Sequence, residues 1–302
     1  MIRKDKEDKL IEIYFYVCQE YETNLQFYCQ RFSNNNQPEF SDQEVMTIYL
    51  FVINQEKRFK IKQIHQFAQE YLHAWFPKLP SYAAFDNRLN QLSEAFRHLT
   101  GLLFDQFKPT DCSENESLLD SLPIITCSGK RSGKVAPEMT AKGFCSTKSM
   151  FYYGLKLHSL AFRRSNQLPF PEQLIITPAS ENDLNVFKQA WGSIENRTFY
   201  GDKIYLNEEF FALVQNNYNS VMLTPVKGIK NQSIWEMQFS KAADDLFSVA
   251  VSKCRQPIES FFNWLIEKTD FQRASKVRST KGLLIHAFGK IAAAFIGLIF
   301  NS

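Results

Sequence analysis

The spacing of apolar residues changes period once, near Asp111, and that change limits what the chain can fold into. Before it, apolar residues recur at helical spacing with no strand-like alternation. Ser41-Asp42-Gln43-Glu44 reads as a capping box that opens a helix through about Asn54. A basic run, Lys57-Arg58-Phe59-Lys60-Ile61-Lys62, leads into a second amphipathic helix that ends near Trp75. Pro77 and Pro80 break it, and Ser81 can cap the next. There Phe85, Leu89, Leu92, Phe96 and Leu99 form a stripe, with Asn87, Arg88, Asn90 and Gln91 off it and expected in solvent. Residues 63–99 therefore fit a helix-turn-helix whose second helix reads DNA. A plain helical hairpin with a solvated face fits the same pattern.

After Asp111, strands and helices interleave. Strands are expected at Leu118–Ile125, Phe151–Phe162, Leu174–Thr177, Arg197–Gly201 and Val221–Val226. Pro123 forbids a full ladder on the first of these. Residues 128–149 are rich in Gly, Ser and Lys and read as a basic loop or hairpin. Helices should follow the third strand, where Ser180, Glu181, Asn182 and Asp183 supply the start through to Trp191, and the fourth, from about Asn207. This order describes an α/β domain on a mixed sheet. The expected division is a helical domain over residues 1–112 and an α/β domain over 113–302, closing on C-terminal helices.

The net charge is only +3, but residues 120–165 carry +6 and residues 253–302 carry +5, which leaves −8 for the rest. Basic charge gathered on two segments suits a polyanionic partner. The six cysteines include no Cys-x-x-Cys pair, so neither a zinc site nor a disulfide framework is indicated, and the charged start is unlike a secretory signal. A reducing cytoplasm is expected. Leu283–Phe300 is apolar, but Lys290 in its middle favours a buried core helix over a bilayer span.

Asp120 falls on the first strand of the second domain, and Asp202 at the carboxyl end of the fourth. In open α/β sheets that edge borders the ligand crevice. Near the C-terminus, Pro257 suits the first turn of a helix on which Ile258, Phe261, Phe262 and Leu265 make an apolar stripe. Arg255, Glu259 and Asn263 form a second stripe beside it, so Glu259 could reach the same crevice. Taken singly, Asp202 and Glu259 pass for helix-start acids and Asp120 for a strand-end residue. Three converging carboxylates would instead be hard oxygen ligands for two Mg²⁺ or Mn²⁺ ions, which serve phosphodiester displacement.

Four segments in order carry a resemblance. They are Leu-Leu-Asp-Ser-Leu-Pro around Asp120, Tyr-Tyr-Gly-Leu-Lys-Leu-His at 152–158, Tyr-Gly-Asp-Lys at 200–203, and Arg-Gln-Pro-Ile-Glu-Ser-Phe-Phe-Asn-Trp at 255–264. Together they resemble the DDE transposases of bacterial insertion sequences, most closely the insertion sequence 982 family. The resemblance implies a ribonuclease-H-like mixed-sheet core holding two divalent ions through Asp120, Asp202 and Glu259. It implies cleavage at transposon ends and attack of the 3′-hydroxyls on target DNA. It further implies an N-terminal helical domain gripping the transposon end, a homodimer in the DNA complex, and a place on the bacterial nucleoid in the cytoplasm. A related group carries Tyr three residues before the Arg and Lys seven after the Glu; here those positions are Ser252 and Ile266. Lys156 and His158 are therefore the expected phosphate contacts, beside Arg255. A nuclease of the same fold without strand transfer, or a DNA-binding remnant, remains open at this stage.

Overall fold

The computed structural model describes residues 2–31, 38–131, 133–227 and 234–300. The early helices are α1 (Lys4–Glu20), α2 (Asp42–Glu56), α3 (Ile61–Tyr71), α4 (Tyr82–Gln91) and α5 (Ser93–Gln106). Then come β1 (Glu116–Ser128), β2 (Ala141–Cys145), β3 (Met150–Phe162), β4 (Phe170–Pro178), α6 (Asp183–Ala190) and β5 (Thr198–Tyr200). The chain continues with α7 (Glu208–Tyr218), β6 (Val221–Leu223), α8 (Ile234–Arg255), α9 (Pro257–Thr269), α10 (Thr280–Leu284) and α11 (Lys290–Phe300). It divides into two compact units. One takes residues up to Phe107, Lys134–Glu138 and everything from Leu265 on; the other takes the remainder. The helical unit thus extends beyond the expected 1–112, because the C-terminal helix α11 packs on α2 and α5.

The helical unit is built round two helices that are apolar on every side. All residues from Val45 to Ile53 on α2 are buried, as are Lys290 to Ile296 on α11. A helix with no polar face has to sit at the centre of its unit. The expected capping box is present: Ser41 Oγ accepts from Glu44 N, and Glu44 accepts from Ser41 N. Between α10 and α11 the backbone widens into a π-turn over Ile285–Gly289. Such turns leave carbonyls without their usual helical donors. Tyr49 donates its hydroxyl to Ile285 O and Thr100 donates to Phe288 O. Thr280–Phe300 is long and apolar enough to cross a bilayer, yet 72% of its most apolar window is buried in the protein. It is a core helix, as Lys290 suggested. The helix expected across residues 81–99 is broken at Leu92 into α4 and α5.

The second unit is a mixed sheet. β1 lies antiparallel to β3 along its length, and β2 and β4 share the far side of β3. On its other side β1 pairs with β5 in parallel, and β5 with β6 in parallel. The five expected strands are all found, and the basic loop contributes β2 as an additional short strand. Pro123 is tolerated because β5 covers only Glu116–Leu118, so β1 has an open flank where the missing N–H would point. Ser121 N, two residues earlier on the same flank, is taken by Asp120 Oδ1 at 2.8 Å. Gly154 faces a bulge in β1, where an added Cβ would stand 1.9 Å from Ile124 O. One face of the sheet is sealed by Leu119, Leu160, Phe199 and Met222 packing with Val186, Phe187, Trp191 and Tyr205.

Lys290 carries a testable consequence. Burial pulls its ammonium down to about 7, although Nζ donates to Asp270 O and lies over the Phe59 ring. The unfolded chain then binds more protons than the folded one between about pH 7 and the ordinary lysine range, so this group makes stability rise with pH there. Denaturant titrations from pH 7 to pH 9.5 should show that rise in the wild type. In Lys290→Met the component should be missing, and the lost slope corresponds to roughly 1.4 kcal/mol per pKa unit of displacement.

Candidate active site

Parallel pairing between β1 and β5 sets Leu118 against Tyr200. Two residues beyond the last paired positions of the two strands come Asp120 and Asp202, and both carboxylates act on the Arg255 guanidinium. Asp202 is still extended, with φ −78° and ψ 168°, and its Oδ1 accepts from Lys203 N at 2.6 Å. Its expected role as a helix-start acid is therefore real, and it leaves the residue exposed at the crevice. Asp120 sits on the sheet face opposite the sealed one, because Leu119 beside it faces the apolar cluster.

Glu259 arrives from the first turn of α9. The apolar stripe expected on this helix is buried: Ile258, Phe261, Phe262 and Leu265 are all at most 5% exposed. That burial turns Glu259 outward, with its side chain 51% exposed. Arg255 ends α8, with Gln256 alone between it and the start of α9 at Pro257, and its guanidinium bridges two acids. Nη1 donates to Asp120 Oδ2 at 2.8 Å and Nη2 to Glu259 Oε1 at 2.5 Å. Sequence spacing had suggested the pairing with Glu259; it held no signal for the link to Asp120, 135 residues away.

The charges at this edge are in tension. Desolvation pushes the Asp120 carboxyl up to about 6; Arg255 and the Ser121 N–H pull it back, while Glu259 and Asp183 add to the rise. Arg255 is held firmly charged by Asp120, Glu259 and Asp202 against its own burial. A half-buried, desolvated carboxylate with too little positive charge around it is a site with capacity for more cation. The donors are carboxylate oxygens, which suit Mg²⁺ or Mn²⁺. As the side chains stand, no three His, Cys, Asp or Glu groups among the described residues converge tightly enough to hold an ion. The Arg255 fork occupies the space between two of them.

Lys156 and His158 do not join this edge. Cross-strand partners share a face, and β3 sets Ser159 opposite Asp120 but His158 opposite Ser121 and Lys156 opposite Pro123. Both side chains therefore lie on the sealed face. His158 is fully buried, with Nε2 2.8 Å from Thr177 Oγ1 and Nδ1 3.2 Å from Asp183 Oδ1. Lys156 Nζ donates to Asp183 Oδ1 and to Glu181 O. The expected phosphate contacts are thus spent on Asp183, whose carboxyl they hold below its ordinary range against its own burial. Only the tertiary structure could show that the acid at the start of α6 collects them.

The polar residues expected to read DNA from α4 separate as well. Asn87 and Gln91 are exposed, but Asn90 donates to Asp86 O, and Arg88 is buried. Arg88 places Nε and Nη2 on the two oxygens of Asp42 at 2.6 and 2.5 Å, and Nη2 also reaches Cys29 O. Arg31 completes the pair from the other side at 2.6 Å. Arg88 lies one position before Leu89 on the stripe, and a long side chain can reach inward from there to a buried acid. A cleft of about 610 Å³ opens instead along α3 and the start of α4, lined by Lys62, Gln66, Gln69, His73, Leu79 and Tyr82 among others. The steps of four, three and four between its first four residues were readable in the sequence as one polar helical stripe, continued by His73 just past the helix.

No protein-family model matches the chain, and neither curated proteins nor solved structures give a match.

Two measurements follow from these placements. Arg88→Ala should cost about 1.5–3 kcal/mol in denaturant unfolding, because it leaves the buried Asp42 with Arg31 as its remaining cation. Asn87→Ala should stay within about 0.5 kcal/mol of wild type. Asp120 has a folded pKa above its unfolded value, so its burdened charge weakens the fold fully above about pH 6 and not at all below the ordinary carboxylate range. In metal-free buffer, Asp120→Asn should therefore be about 1–3 kcal/mol more stable than wild type at pH 7, a gain that fades by pH 4.

Proposed function

We propose that this chain is a divalent-metal-dependent DNA transposase of the DDE type with a ribonuclease-H-like core. The observation that carries the reading is the Arg255 bridge, which ties Glu259 to Asp120, with Asp202 acting on the same guanidinium. The sheet supports the fold: leaving out the short β2, its order is β4-β3-β1-β5-β6, with only β3 antiparallel to its neighbours. The motifs that resemble the insertion sequence 982 family are the segments that hold these acids.

Asp120, Asp202 and Glu259 would hold two Mg²⁺ or Mn²⁺ ions. When bound, such ions lower the pKa of an attacking water or 3′-hydroxyl and stabilise the departing oxygen. The residues of the chain do the rest. Arg255 offers a two-pronged donor that fits a phosphate as well as it fits a carboxylate. The packed stripe of α9 fixes the backbone of Glu259, so the carboxylate is presented at a constant height above the sheet edge. In the helical unit, Lys62 and His73 would meet phosphates, and Gln66 and Gln69 base edges at the transposon end, since all four line the cleft along α3. A homodimer bringing two ends together with target DNA, on a bacterial nucleoid, is the working arrangement. A nuclease of the same fold without strand transfer would use the same acids. Joined products from a 3′-hydroxyl end and supercoiled target separate the two.

Glu259→Gln is the sharpest test. It removes one ligand charge and leaves the helical unit untouched. Magnesium-dependent cleavage of DNA from the flanks of the coding region should fall by at least about a hundredfold, while retardation of the same DNA in a gel persists. Wild-type cleavage by this variant would reduce Glu259 to a helix-start acid.

A further inference from the structure

The Arg255 fork stands between Asp120 and Glu259, where a metal ion held by those two carboxylates would have to come. Its two terminal nitrogens are committed to the two acids, and its Nε is buried without a partner. Its side chain is only 16% exposed, against 51% for Glu259, so the bridge is open on the Glu259 side. A guanidinium and a divalent cation repel each other, and the fork takes one oxygen of each carboxylate on the side where the two acids face. A phosphodiester arriving at this edge supplies the one replacement acceptor that matches the fork, with two anionic oxygens in the same planar spacing.

We propose that Arg255 couples metal loading to DNA binding. On the free chain it acts as an internal counter-ion that offsets the desolvation of Asp120 and holds Glu259 beside it. A DNA phosphate draws the fork away, and both carboxylates then become available to a divalent ion. This rests on the reading of Asp120 and Glu259 as metal ligands. Arg255 is then a positioning residue, and the device keeps the chain from assembling a loaded cutting site before its substrate arrives. Reciprocity is required: whatever factor DNA adds to metal affinity, metal adds to DNA affinity.

The test uses the full chain and Mn²⁺, with free Mn²⁺ read by its electron paramagnetic resonance signal. Titrations are run alone and with a short duplex of arbitrary sequence at low salt, and the duplex's own Mn²⁺ uptake is subtracted. The wild type should bind Mn²⁺ about tenfold more tightly with the duplex present, a coupling of ordinary size. Arg255→Gln, which removes the charge, should bind Mn²⁺ tightly without DNA and respond little to the duplex. Arg255→Lys keeps the charge, and its DNA-free affinity should stay as weak as that of the wild type. Equal Mn²⁺ affinity for the wild type with and without duplex would overturn the coupling, and so would an Arg255→Gln variant that keeps the full duplex response. Asp120→Asn separates this from the reading beneath it. If that variant binds Mn²⁺ as well as wild type does, the metal site itself is wrong. If it loses Mn²⁺ while the wild type shows no duplex effect, only the role of Arg255 falls.

Discussion

Strand β1 is the constraint on which the second unit depends. Its residues Glu116–Leu118 are paired on both flanks, antiparallel to β3 and parallel to β5. Beyond Leu118 the β5 flank opens, and that opening does two things at once. It lets Pro123 sit in a strand without breaking a ladder, and it leaves the edge of β1 beside Asp120 unpaired by β5. Had β5 run further beside β1, Ser121 and Pro123 would owe hydrogen bonds that one of them cannot make. The site exists where the sheet stops pairing.

The same physics of buried charge recurs three times. Asp42 is enclosed by Arg88 and Arg31, and Asp183 by Lys156 and His158. Both acids are surrounded by donors from elements distant in sequence. A charge can remain inside a protein only when its partners come with it. Among the described residues Asp120 is paired with one cation, Arg255, which it shares with Glu259. Asp42 and Asp183 are locked, whereas Asp120 is under-compensated and carries its carboxyl pKa upward. Electrostatic completeness thus separates two structural acids from a candidate functional one, although all three look alike as letters.

In the helical unit, the capping box, the Ser81 cap and the apolar stripe were legible because each rests on contacts within a few residues. The break at Leu92 was not, since the stripe of Phe85, Leu89, Leu92, Phe96 and Leu99 continues on both sides of it. Arg88 misled for a related reason. Helical periodicity fixes the direction of a Cα–Cβ bond, and a four-bond side chain can turn from there toward a buried acid 46 residues away.

What the sequence determined by itself is the set of local structures and the order of the motifs. It placed five strands, the start of α9, the buried nature of the C-terminal apolar segment, and Asp120, Asp202 and Glu259 as the acids to watch. Periodicity, capping and turn chemistry act over one or two turns of chain, so they can be read without knowing the fold. The tertiary structure decided which face each strand residue occupies relative to its neighbours. It thereby sent Lys156 and His158 away from the acids and brought Arg255 to Asp120. Register is a long-range property: shifting one strand by a single residue exchanges its two faces, and no short window of sequence contains that information.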